Sequence, residues 1–229
     1  MGNIADVLYQ ASTWVLPVLL AITLHEAAHG WVAWKLGDDT AWRAGRVSFN
    51  PLRHVDPFGT IVLPAMLLIA RAPFLFGWAR PVPVAFGRLG HPRRDMVLVA
   101  AAGPGVNLLM AVAAAAAFHV VPLLPAGGRE WVADNLSHAI LINALLCIFN
   151  LLPLPPLDGG RIAVGLLPAG LARPLARLER WGLLILLGLV FVLPMIGRQA
   201  GMQLDVFAVI VGVPTDWLIR VIAAGVGLR

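Results

Sequence analysis

Thr23-Leu24-His25-Glu26-Ala27-Ala28-His29-Gly30 lies inside an apolar run that begins near Val15 and continues through Trp31, Val32, Ala33 and Trp34. Read as a helix, the run places His25 and His29 four residues apart, so both imidazoles leave one face and can grip a single ion. Glu26 is rotated by about 100° from His25, within reach of a water on that ion without binding the ion itself. In a soluble chain this pattern is a zinc-hydrolase signature. The competing reading is a pair of satisfied core histidines beside an ion-paired glutamate. An ionised group at mid-helix in a bilayer costs roughly 2.5–3.5 kcal/mol even on the lenient insertion scale, which favours function once the run is embedded in lipid.

Composition says that it is embedded. Of 229 residues, 59% are hydrophobic and only 13% charged, against about 45–50% apolar and about 25% charged in soluble domains. The formal charge of +5 does not point to nucleic acid, because the basic residues sit in short segments between apolar runs, where they act as topology signals. A single cysteine, Cys147, excludes an intrachain disulfide and a cysteine-rich metal site. The first run is not a signal peptide, since Met1 to Gln10 holds Asp6 and no basic residue and the run itself carries the motif. The expected organisation is one membrane domain, 1–229, with a core at about 10–165 and accessory transmembrane helices at about 181–224.

Taken in order, spans are expected at about 10–36, 96–121, 136–152, 181–196 and 204–224. Residues 59–78 are ambiguous. Their clean run, Ile61 to Ala70, is short, and Arg71 and Pro73 interrupt it. Arginines flank it on both sides, so a re-entrant hairpin is the favoured reading over a span. The stretch 43–51 alternates β-branched or aromatic residues and stops at Asn-Pro, and 79–86 is a proline-punctuated extended stretch, which predicts a small β element near the site, with cytoplasmic turns as the alternative. Arginine placement puts the N-terminus outside, and Arg220 and Arg229 at the cytoplasmic end. The fold class is therefore an all-α polytopic membrane protein with about five transmembrane helices, one re-entrant hairpin and a small β element.

Catalytic zinc needs three protein ligands and an open position. The candidate third ligand is Asp158, in Asn150-Leu151-Leu152-Pro153-Leu154-Pro155-Pro156-Leu157-Asp158-Gly159-Gly160-Arg161. Prolines break the helix ahead of it and two glycines let the chain bend behind it. Irregular backbone at membrane depth is tolerated where it lines a cavity. A solvated aspartate in a Gly-Gly turn is the plain alternative.

Together, His25-Glu26-x-x-His29 and Asn150-x-x-Pro153-x-Pro155-x-x-Asp158-Gly159 resemble the site-2 protease family of intramembrane zinc metalloproteases. The chain looks like its compact bacterial members over roughly residues 15–165, including Gly45-Arg46-Val47-Ser48-Phe49-Asn50-Pro51-Leu52, Phe76-Gly77-Trp78-Ala79-Arg80-Pro81-Val82-Pro83-Val84 and Ala102-Gly103-Pro104. No PDZ or CBS domain is recognisable. The resemblance implies His25, His29 and Asp158 as ligands of one zinc ion per chain and Glu26 as catalytic base. It also implies Asn150 as a polar group near the scissile peptide, a transmembrane protein as substrate, and a place in the bacterial cytoplasmic membrane with the site nearer the cytoplasm.

A helical substrate hides its carbonyls in its own hydrogen bonds and must be unwound. An extended stretch around Val82 and Val84 offers an edge for such a strand. Pro155 and Asn107 are further candidate substrate contacts, although Asn107 also suits a packing role between helices. Two rival readings use the same residues. A transporter would have broken helices and midplane charges, but also internal repeats, and none is visible. A proteolytically inactive relative that binds membrane partners is expected to lose the glutamate or a ligand, and all four residues are present.

Overall fold

The computed structural model describes residues 4–63, 66, 79–199, 201 and 205–228. Its helices are α1 (Ile4–Lys35), α2 (Thr40–Arg43), α3 (Pro92–Ala117), α4 (Ala126–Asn150), α5 (Asp158–Leu166), α6 (Ala169–Arg177), α7 (Glu179–Leu187), α8 (Leu193–Gln199) and α9 (Val213–Gly225), joined by shorter helical turns. Among the described residues, five helical stretches are long and apolar enough to cross a membrane: Ile4–Lys35, Pro92–Leu123, Ala126–Asn150, Glu179–Gly197 and Ala208–Gly225. The expected hairpin at 59–78 lies, apart from its first residues, outside the described residues.

Local sequence sets the boundaries. Helix α1 stops where Gly37 takes a φ of 108°, a conformation that favours glycine. Helix α3 starts on Pro92 at its first position, where the missing N–H costs no bond. Helix α4 ends at Asn150, just ahead of Pro153, Pro155 and Pro156, which cannot continue it.

Helices α1, α3 and α4 form the bundle that carries the site. His25 meets Asn107 and His29 meets Val99, so α1 and α3 run antiparallel. Tyr9 meets Asp134 and Thr13 meets His138, so α1 and α4 run parallel. Pro17 inside α1 lacks the N–H that would pair with the Thr13 carbonyl. His138 Nδ1 takes that carbonyl instead, at 3.1 Å, while Trp14 stacks on the His138 ring.

Two expectations are corrected. No strand forms among the described residues. Val47 and Val82 do converge, both against Gly30 of α1, but not as a ladder. Pro81 and Pro83 have no N–H to give. The Arg80 N–H goes to the His54 carbonyl, the Val82 N–H to Glu26 and the Ala85 N–H to Asp38, so the stretch is held by isolated bonds, two of them to carboxylates, rather than by a strand ladder. The second correction concerns α9. Phe207, in the turns leading into it, packs at a tilt against Phe149 at the end of α4. Beyond its far end, the Val226 carbonyl accepts from His119, and Ile222 is buried with Ala111 and Ala115. Helix α9 therefore runs parallel to α3 and finishes about 18 Å past Asn107 along that axis, remote from the motif. Helix-to-helix packing on small residues fixes this direction, which counting Arg220 and Arg229 could not.

Candidate metal centre

His25 Nε2, His29 Nε2 and an Asp158 carboxylate oxygen converge. The two nitrogens are 3.0 Å apart, and Asp158 Oδ2 lies 3.2 Å from His25 and 3.3 Å from His29. These three residues form a donor group in which every ligand atom is within 4.8 Å of the others. The first two come from successive turns of α1 and the third from the first residue of α5.

The outer nitrogens fix the protons. His29 Nδ1 is 2.7 Å from the Val99 carbonyl, which can only accept, so that nitrogen carries the hydrogen. Asn107 donates its amide to the Ala21 carbonyl at 3.2 Å and to Asn143 Oδ1 at 2.7 Å, which turns its own oxygen to His25 Nδ1 at 2.6 Å. With Nδ1 carrying the hydrogen, the neutral form of each ring presents a bare Nε2 lone pair to the centre. Asp158 Oδ2 is buried and has no hydrogen-bond partner. In that form three acceptors this close repel unless a cation lies among them. A tetrahedral ion with bonds of about 2.0–2.1 Å spaces its donors about 3.3 Å apart, which matches the observed edges. Two imidazoles and one carboxylate are also the donor chemistry of a zinc site with one position left open.

Helix α3 is shaped to this centre. Val99, Gly103 and Asn107 fall at four-residue steps on one face. Gly103 sits directly against the rings: a β-carbon there would lie 2.5 Å from His25 Cε1, His25 Nε2 and His29 Nε2. Asp158 is wedged in place from behind. A β-carbon on Gly159 would overlap the Leu151 and Leu152 carbonyls, and one on Gly160 would overlap the backbone of Leu154 and Pro155. Helix α7 leans on the same loop, with Gly182 against the Pro155 carbonyl.

A cavity of about 270 Å³ opens at the donors, lined by Glu26, Val82, Val84 and Asn150 among others. Glu26 Oε2 accepts the Val82 N–H at 2.7 Å. Asn150 gives one amide hydrogen to the Leu146 carbonyl at 3.0 Å. Of the other expected contacts, Asn107 is fully buried with its polar atoms engaged between helices, and Pro155 is buried behind the wall that Pro156 and Leu157 provide. Sequence reasoning missed Val99 and Gly103 as supports of the histidines; for Asn107 it offered a substrate contact or a packing role between helices, and the bonds to Ala21, Asn143 and His25 are of the second kind. The helical face that Val99, Gly103 and Asn107 share was the available signal.

Beside the wall, Asp38 holds the 79–89 stretch. It accepts from the Ala85 N–H at 2.6 Å, and from both the N–H and the hydroxyl of Thr40. Burial pushes its carboxyl up, but these bonds and Arg88 outweigh that and leave it below the usual carboxylate range.

A model of Peptidase family M50 matches residues 128–193. A relative in Bacillus subtilis (strain 168), named "Putative zinc metalloprotease YwhC", is 42% identical over 188 residues, covering 79% of this chain and 80% of its own. The chain belongs to peptidase family M50. Proteins named "Putative zinc metalloprotease Rip2" match this M50 chain more distantly. That of Mycobacterium tuberculosis (strain ATCC 25618 / H37Rv) is 30% identical over 189 residues, covering 81% of this chain and 70% of its own. That of Mycolicibacterium smegmatis is 29% identical over 185 residues, covering 75% and 64%. No solved structure matches. Family and apolar helices together make the protein an integral membrane metallopeptidase of the site-2 protease family.

Proposed function

We propose that this protein is a zinc-dependent intramembrane endopeptidase that cuts membrane-protein substrates within or near their transmembrane segments, in regulated proteolysis at the bacterial cytoplasmic membrane. The observation that carries the reading is the convergence of His25, His29 and Asp158 at 3.0–3.3 Å with Glu26 on the adjoining cavity wall. His25, His29 and Asp158 hold one zinc ion. When bound, that ion acidifies water to a pKa of about 7 and polarises a carbonyl.

The remaining chemistry belongs to side chains. Glu26, with Oε2 on the Val82 N–H, has its other oxygen to take the proton of the attacking water and return it to the departing amine nitrogen. Asn150 keeps one amide hydrogen for the carbonyl oxygen as it gains charge. Val82 and Val84 form the wall against which an unwound substrate lies. Asn107 and Val99 hold the imidazoles in the tautomer a metal requires.

The test is cleavage of a single-span reporter protein by purified enzyme. Glu26→Gln should keep its zinc and lose turnover by about 100-fold or more, the scale of a general base. His25→Ala should lose both. Turnover by Glu26→Gln at the wild-type rate would end the proposal.

A further inference from the structure

Arg161 stands one turn after Asp158 on α5 and lines the same cavity. Among the described residues it is the single lysine or arginine that does so. Its guanidinium carbon lies 5.6 Å from the centre of the Phe86 ring. Glu179, at the start of α7, is 3.7 Å away and more than half exposed, too far for a hydrogen bond and too wet for a strong pair. The Arg161 side chain donates no hydrogen bond among the described residues. The ring contact with Phe86 takes up none of the guanidinium's N–H groups, and their planar fork matches a carboxylate. The rest of the wall is apolar apart from the catalytic groups: Pro81, Val82, Val84, Val99, Ala100 and Pro156.

We infer that Arg161 is a specificity residue that binds a carboxylate side chain, aspartate or glutamate, carried by the substrate a short fixed distance from the scissile bond. This rests on the endopeptidase reading. A cavity built to hydrogen-bond a charged group disfavours the analogue lacking it, because its donors are then left unpaired as the substrate displaces water. An aspartate in place of asparagine at that position should raise kcat/KM by about 10- to 100-fold.

The experiment uses the full chain, zinc-loaded, in detergent. The probe is a pool of single-span polypeptides in which the positions flanking the cut carry Asp, Asn, Leu or Ala, with products read by mass spectrometry. Wild type should enrich Asp over Asn at one distance from the cut. Arg161→Gln should reduce that preference to within about threefold while cutting neutral sequences at the wild-type rate and holding the same zinc. Arg161→Lys, which keeps the charge and loses the fork, should fall between them. An unchanged preference for Asp in Arg161→Gln would overturn the inference. So would an equal loss on every sequence, which is what a purely structural link to Phe86 and Glu179 gives. If wild type matches Glu26→Gln in cutting nothing, the endopeptidase reading fails first and takes this inference with it.

Discussion

Replacing Gly103 by alanine tests how tightly the centre is built. The added carbon would stand 2.5 Å from three ring atoms of His25 and His29, about 0.9 Å short of ordinary contact. The rings are not free ends that can swing away, because each is tied at Nδ1, to Asn107 at 2.6 Å and to Val99 at 2.7 Å. Moving them, or parting α1 from α3, by that amount stretches those bonds to about 3.5 Å, where little hydrogen bonding remains. Losing one such outer partner lowers metal affinity by about 10–100-fold, and both are at stake here. Overpacking adds about 1–3 kcal/mol of destabilisation. Zinc affinity by competition with a chromophoric chelator, and the thermal midpoint of the purified protein, give the two readouts. Gly105→Ala is the matched control, since a β-carbon there meets nothing within 4 Å. Wild-type zinc affinity in Gly103→Ala would refute the described geometry.

Asn107→Ala should lower zinc affinity by about 10–100-fold and destabilise by about 1–3 kcal/mol for each buried acceptor it orphans, chiefly Asn143 Oδ1; chelator competition and thermal unfolding read the two effects separately. Asp38, with its folded pKa held below that of the unfolded chain, stabilises fully above about pH 3.9 and loses that contribution as pH falls towards the lowered value. The gap in thermal midpoint between wild type and Asp38→Asn should therefore close below about pH 4, and a gap constant to lower pH would contradict the bonding described. Gly182→Val would force a side chain into the Pro155 carbonyl, so α7 should lift from the loop, with about 1–3 kcal/mol of destabilisation and weaker zinc binding. Unaltered zinc binding and unfolding in that variant would show that α7 does not brace the loop.

What was legible in the sequence followed from local rules. Four-residue spacing places His25 and His29 on one face, and the Pro153 to Pro156 break brings an aspartate to the start of a new helix. Apolar length locates the five long helices to within a few residues at most ends; α1 begins about six residues ahead of its expected start, and α4 about ten, because Arg129, Glu130 and Asp134 can be solvated at a helix end. The supports of the centre could not be read this way. Val99, Gly103 and Asn107 matter only through the antiparallel pairing of α1 with α3, and a lone sequence does not state which helices meet. The β expectation counted side-chain propensity at Val47 and Val82 but not the fate of the N–H groups, which Glu26 and Asp38 capture. The direction of α9 depended on alanines in α3 rather than on charge.

The seat of Gly182 on Pro155 also bears on how little of this chain suffices. A fragment trimmed to the motif-bearing first 165 residues would retain every candidate donor, yet one of them would be mounted on a ledge with nothing behind it. A helix late in the chain, α7, thus acts as the abutment for a carboxylate laid down before it.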